Sequence, residues 1–248
     1  MKANSTELIF IVDRSGSMES IAADMRGGFD NFIRKQREIP GECRVTVVHF
    51  DDRYEVAFTS LALAAVPQLE LVPRGMTALL DAMCRAIDET GARLAALPER
   101  ERPEKVIVMT ITDGLENASR THKRHDVLDR IRRQERDYNW QFIFLGANQD
   151  AIAVARDLGI RAGNAATYQP SAVGMDALFT SASANIGAVR GGELSMHGSL
   201  LDQNAYNAAL VDAAAKNPAP PWPTVIPASP VLVPIPDAGT PDSSSSKP

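Results

Sequence analysis

Asp13-Arg14-Ser15-Gly16-Ser17 follows directly on the apolar run Glu7-Leu8-Ile9-Phe10-Ile11-Val12. A short apolar run bounded by polar residues reads as a strand buried on both faces. A carboxylate and two hydroxyls then stand at alternate positions, where the strand runs out. All three offer oxygen, the ligand atom preferred by magnesium and calcium. Gly16 allows the bend that lets the hydroxyls converge. The same residues also suit a polar strand-to-helix turn, with Ser17 or Ser20 capping the next helix. The pentapeptide alone does not choose between the two.

Outward from it, strands and helices alternate. Residues 20–37 carry Ile21, Met25, Phe29, Phe32 and Ile33 at helical spacing, and Pro40-Gly41 ends them. The β-branched stretch 44–50 predicts a second strand, and 54–58 a third. The two residues' worth of turn at Asp51-Asp52 cannot hold a crossover helix, so these strands form an antiparallel hairpin. Residues 61–71 read as a loop with a short helix. Helices are predicted over 78–97, 126–137, 150–158 and 171–189, with strands over 105–112 and 140–145 and a weak one within 160–168. Such alternation implies an α/β fold with a mostly parallel sheet covered on both faces, whose ligands bind at the carboxyl ends of the strands.

The 248 residues are 44% hydrophobic, enough for one ordinary globular domain. A net charge of -5 argues against a nucleic-acid partner. Cys43 and Cys84 lack metal-type spacing and read as buried free thiols. No apolar window is long enough to span a bilayer, and the N-terminus has no apolar signal segment, so a cytoplasmic location is expected. Composition divides the chain into a folded domain over 1–192, an extension over 193–216 with a short helix near 206–215, and a tail over 217–248. That tail holds ten of the sixteen prolines, which excludes regular helix and sheet. It reads as disordered and extended, with Trp222 and the run Val231-Leu232-Val233-Pro234-Ile235-Pro236 as a docking strip.

Two further loops carry hard oxygen donors. Gly75-Met76-Thr77-Ala78-Leu79-Leu80-Asp81-Ala82 supplies Thr77, and Thr112-Asp113-Gly114 supplies Asp113. Two carboxylates among hydroxyls suit a hard cation, and the absence of His and Cys from all three motifs argues against zinc. Together these motifs resemble the von Willebrand factor type A domain over roughly residues 6 to 190, in that family's order and spacing. The resemblance implies a doubly wound, Rossmann-like open sheet with one antiparallel edge strand. It also implies a metal-ion-dependent adhesion site formed by Asp13, Ser15, Ser17, Thr77 and Asp113. In such a site the ion is magnesium, with manganese or calcium as alternatives, and a coordination position stays open for an Asp or Glu of a protein partner. AAA+ ATPases and subunits of larger complexes are the partner class it suggests. The chain is then a binding module without catalysis.

Other polar residues have plainer readings. Thr77 also suits a helix N-cap, Asp113 a turn, and Asp81 the first turn of a helix. Asp51 and Asp52 belong to the hairpin turn. His122 and His125 read as exposed loop residues, and His49 as a core or edge-strand residue. The stretch 120–136 is the most basic of the chain and reads as a solvated helix face, while Arg120, Lys123 and Arg124 are placed to rim the metal and steer an acidic partner. The rival functions are a metal-dependent hydrolase or phosphotransferase, and a structural component tethered by the tail. Against the enzyme, the sequence has no Gly-x-Gly-x-x-Gly or P-loop lysine motif, and position 15 is Ser where an aspartyl-phosphate mechanism needs a second acid.

Overall fold

The computed structural model describes residues 1–147, 150–194, 198–201 and 203–216. The proline-rich tail, His197 and the docking strip lie outside the described residues. Six strands form one sheet in the order β3-β2-β1-β4-β5-β6. They are β1 (Lys2–Asp13), β2 (Glu42–Phe50), β3 (Tyr54–Ala62), β4 (Pro103–Thr112), β5 (Gln141–Gly146) and β6 (Ala165–Thr167). Only β3 runs antiparallel, at the edge beside β2, as the short turn at Asp51-Asp52 requires. The helices are α1 (Ala22–Arg37), α2 (Leu79–Ala95), α3 (Arg124–Tyr138), α4 (Ala151–Asp157), α5 (Ala172–Gly191) and α6 (Gln203–Lys216).

Alternation along the strands builds two core layers, because successive side chains point to opposite faces. Leu8, Phe10 and Val12 of β1 pack with Met25, Phe29 and Phe32 of α1 and with Leu178 and Phe179 of α5. Ile9 and Ile11 pack on the other face with Met83 and Ile87 of α2 and with Ile131 of α3. Phe10 meets Phe29 and Phe32 edge to face, at centroid distances of 5.1 and 5.4 Å. Strand β1 is hydrogen-bonded to β2 on one side and β4 on the other. Chain order reverses across the β1–β4 pair, so the crevice at their carboxyl ends is the switch point where ligands bind in such sheets.

Several elements depart from the sequence-based expectation. The helix expected from residue 20 begins as a 3-10 turn over Gly16–Ile21, and α1 proper starts at Ala22 with Ile21 at its N-cap position. Neither Ser17 nor Ser20 caps it, because Ser17 is turned to the strand end instead. Strand β3 runs on to Ala62 and only Leu63–Ala65 is 3-10, so the 61–71 loop is shorter than expected. The weak strand within 160–168 shrinks to three residues, since Ala162–Asn164 coils first. The 193–216 extension lies on the domain through α6. Tyr206 is buried in the α1/α5 layer, its hydroxyl accepts from Gln169 N at 2.8 Å, and Gln203 bonds both backbone groups of Thr167.

A buried arginine closes this layer. Arg190 of α5 donates through one nitrogen to the Gln36 carbonyl and side chain, at 2.8 and 2.9 Å, near the end of α1. Its other terminal nitrogen reaches the carbonyls of Ile39 and Gly41, at 3.4 Å each. A cation there satisfies helix-end carbonyls that have no partner within α1.

Candidate metal centre

Strand β1 ends on Asp13, which is fully buried. Its Oδ1 accepts from Ser15 N at 2.6 Å, which folds the chain back over the strand end. Its Oδ2 accepts from the Thr112 hydroxyl at 2.5 Å, which ties β1 to the end of β4. Asp113 follows one residue later, and its Oδ1 accepts from Ser17 Oγ at 2.6 Å. Ser15 Oγ and Ser17 Oγ stand 3.0 Å apart. Thr77 arrives from the second loop and points at the same place. A Cβ added to Gly114 would stand 3.0 Å from Thr77 Oγ1, 3.4 Å from Ser17 Oγ and 3.8 Å from Ser15 Oγ. The three hydroxyls therefore surround one small cradle that only a glycine at 114 leaves open.

The Asp13 charge is paired with no cation of the protein among the described residues. Burial pushes Asp13 up to about 6, against the hydrogen bonds from Thr112 and Ser15, and the neighbouring Asp113 adds to the rise. Burial also raises Asp113, with Ser17 opposing. Among the described residues no Lys, Arg or His pairs with Asp13. A buried carboxylate in that condition calls for a cation. Two carboxylates and three neutral hydroxyls fit a hard divalent ion such as magnesium, manganese or calcium. Among the described residues, no cluster of three or more His, Cys, Asp or Glu side chains offers a competing site.

The loops are held by residues that sequence reading assigned elsewhere. Asp51 is fully buried rather than a plain turn residue. It accepts from Arg14 Nε at 3.0 Å, Arg74 Nε at 2.7 Å and Arg53 N at 2.6 Å. Both arginines also pair with Glu55. Arg14 and Arg74 flank the first and second ligand loops, so one carboxylate fixes both. The backbones agree: Gly16 N donates to Gly75 O, Arg74 N to Arg14 O, and Ala78 N to Asp51 O. Gly75 has φ +69°, and any side chain there would strike Asp52 Oδ1.

Thr77 is not a helix cap. The N-cap position of α2 is Ala78, and the free N–H groups at this helix start are satisfied from the Asp113 loop. Asn117 Oδ1 accepts from Thr77 N, Glu116 Oε2 from Leu80 N, and Ser119 Oγ from Asp81 N. In return Asp81 accepts from the backbone N–H groups of Arg120, Thr121 and His122, and from His122 Nδ1 at 3.0 Å. His122 is thus a half-buried, anchored residue, while His125 is exposed. The signal for this interlock was available: an Asp-Gly followed by Glu, Asn and Ser, opposite a helix lacking its own cap residue. Asp51 was legible too, as an acid at the carboxyl end of a strand next to β1.

The basic trio separates. Arg120 is exposed beside the Thr77 loop, Lys123 precedes α3 with its N–H on Asp126, and Arg124 pairs with Asp157 at 3.1 Å.

No protein-family model and no curated protein sequence matches the chain. Solved structures do. The von Willebrand factor type A protein from Catenulispora acidiphila superposes with a TM-score of 0.51 at 16% identity, over 73% of this chain and 42% of that one. The chain has the von Willebrand factor type A fold. A pilus adhesin, SpaC of Lactobacillus rhamnosus GG, matches with a TM-score of 0.58 at 14% identity, over 76% of this chain and 30% of the adhesin. Proximal thread matrix protein 1 of the mussel byssus matches at 0.50 and 18% identity, over 71% and 44%. The chain spans less than half the length of each of these. In the type A fold as seen here, the antiparallel edge is β3 and the cradle lies at the β1–β4 switch point.

Proposed function

We propose that this chain is a divalent-metal-dependent protein-interaction module that binds an acidic side chain of its partner and catalyses nothing. The observation that carries the reading is the convergence of Ser15, Ser17 and Thr77 hydroxyls on one cradle between two buried carboxylates. Asp13, Ser15, Ser17, Thr77 and Asp113 hold the ion. Magnesium, when bound, supplies positive charge and a coordination position for an incoming carboxylate. The three hydroxyls contribute oxygen without negative charge, so they do not repel that carboxylate. Thr112 keeps Asp13 oriented, and Asp51 with Arg14 and Arg74 keeps the first two loops in register. The partner presents an exposed Asp or Glu; an AAA+ ATPase or another complex subunit is the class proposed.

The enzyme reading has less support. The carboxylate of the Asp113 loop is already engaged: Glu116 accepts from Leu80 N, Ala118 N, Ser119 N and Ser119 Oγ. A general base needs a free lone pair within reach of the reacting proton. The test is affinity capture with the whole chain, in magnesium and in EDTA, beside Thr77→Ala, Asp113→Ala and Ser15→Ala. Specific partners should be lost with EDTA and with every substitution. Partners retained in EDTA would refute the reading.

A further inference from the structure

A groove of about 590 Å³ opens between the β2–β3 turn, α2 and residues 118–122. It begins one residue from the cradle. Ala78 and Ala118 both line it, and Ala118 N donates to Thr77 O at 3.1 Å. Most of its charges are spent. Glu89 takes Arg85 at 2.7 Å and the Tyr54 hydroxyl at 2.9 Å, and Asp88 takes Arg130 at 2.9 Å. Asp81 is committed to the 120–122 backbone and His122. The Arg85 guanidinium lies over the Tyr54 ring, 4.2 Å from its centroid, and makes a flat shelf. Two cations are left over. Arg53 and Arg120 are exposed, and neither side chain makes a hydrogen bond or ion pair among the described residues. Asp52, the one acid of the groove without such a partner, adds its charge to the field at Arg74.

The geometry points to a second anchor for the same partner: the groove takes an acidic side chain of an extended partner segment whose other acid sits in the metal cradle. The inference rests on the proposed metal-dependent reading and adds the partner's chemistry to it. Guanidinium groups grip carboxylates through paired N–H donors, and Arg53 and Arg120 both line the groove, one from the β2–β3 turn and one from the Asp113 loop. An acid placed there completes charges that the protein itself leaves open. A partner with a single acid fills the cradle and leaves this second site unused.

The experiment uses the full chain and labelled synthetic peptides in saturating magnesium, read by fluorescence anisotropy. One peptide carries a single Asp in a Gly/Ser background. The others add a second Asp after spacers of about one to four residues, which span roughly 7 to 17 Å between acids when extended. One spacing should bind about tenfold more tightly than the single-Asp peptide, the effect of a hydrogen bond to a charged group. Arg53→Ala should reduce that gain and leave single-Asp binding unchanged, and Arg120→Ala should weaken the two-Asp peptide by a larger factor than the single-Asp peptide, while EDTA should abolish both. The His122 ring signals should move only with the tighter peptide. Metal-dependent binding with no gain at any spacing overturns the groove inference and leaves the metal reading intact. Binding of neither peptide, or binding indifferent to EDTA, overturns both. A magnesium-dependent dimer lost in Arg120→Ala would place a second copy in the groove and also overturn the peptide assignment.

Discussion

Gly114 owes its importance to what surrounds it. A methyl group there would press on Thr77 Oγ1 and crowd Ser17 Oγ, so Gly114→Ala should fill the cradle while leaving the strand end intact. Overpacking of this kind typically costs one to a few kcal/mol, so magnesium affinity should fall about tenfold or more. The melting temperature without metal should fall by only a few degrees, the scale of that same overpacking cost, and the magnesium-induced rise should shrink as well; a variant that binds magnesium normally would show that the cradle lies elsewhere. His49 supports a second prediction at this scale. Burial and, to a lesser degree, the Arg14 charge push it down to about 4, with Glu55 opposing. Its Nε2 is buried without a hydrogen-bond partner among the described residues. An unfolded imidazole titrates near 6.5, so the unfolded chain binds more protons. The stability contributed by neutral His49 is whole above about pH 6.5 and is lost as pH falls toward 4, a linkage of roughly 3 kcal/mol. Wild type should therefore lose more unfolding free energy than His49→Gln between about pH 7 and pH 4. Parallel pH profiles in urea melts would contradict the assignment.

Between elements, the site depends on two interlocks, and both can be broken without touching a metal ligand. Asp51→Ala would leave Arg14, which is only 6% exposed, with Glu55 as its remaining acid. Loss of one member of a buried pair costs on the order of 3 kcal/mol, which chemical denaturation would resolve, and magnesium affinity should drop as the first two loops loosen. A variant with unchanged stability would show that the clamp is solvated. Glu116→Ala would free Leu80 N at the start of α2 and relax the Asp113 loop. Its cost should be about 1 to 2 kcal/mol, the scale of a lost helix cap, and a stability change near zero would argue against the interlock. These interlocks explain why the candidate ligands stand out in the sequence, while their supports show there only as unpaired polar residues whose partners the sequence does not name. Asp13, Ser15 and Ser17 announce themselves by alternation at the end of an apolar strand. Arg14 and Asp51 lie 37 residues apart, and Asp81 and His122 lie 41 apart, so only the folded topology pairs them. The helix layers were legible through local periodicity, and the antiparallel edge through the turn at Asp51-Asp52, too short to hold a crossover helix. The start of α1 and the three-residue β6 were not, because 3-10 turns over Gly16–Ile21 and Ala162–Asn164 take up the residues just before them.

At the scale of the whole molecule, the switch point between β1 and β4 gathers three segments that are far apart in the unfolded chain. A ligand that binds only the folded state must then stabilise it. Magnesium at ten times its dissociation constant should add roughly 1.4 kcal/mol to the unfolding free energy. Thermal melts with and without magnesium should separate for wild type and coincide for Asp13→Ala; equal shifts in both would place the ion elsewhere. The fold as such is common to proteins of very different design, so it decides the place of the site and leaves the chemistry to the residues on it. The central claim is that Asp13, Ser15, Ser17, Thr77 and Asp113 form a single divalent-cation site, and calorimetric titration of the whole chain with magnesium tests it most directly. Wild type should bind one ion per chain, and that binding should be lost in each of Asp13→Ala, Thr77→Ala and Asp113→Ala, which come from three separate loops. No magnesium binding by wild type, or undiminished binding by the three variants, would contradict it.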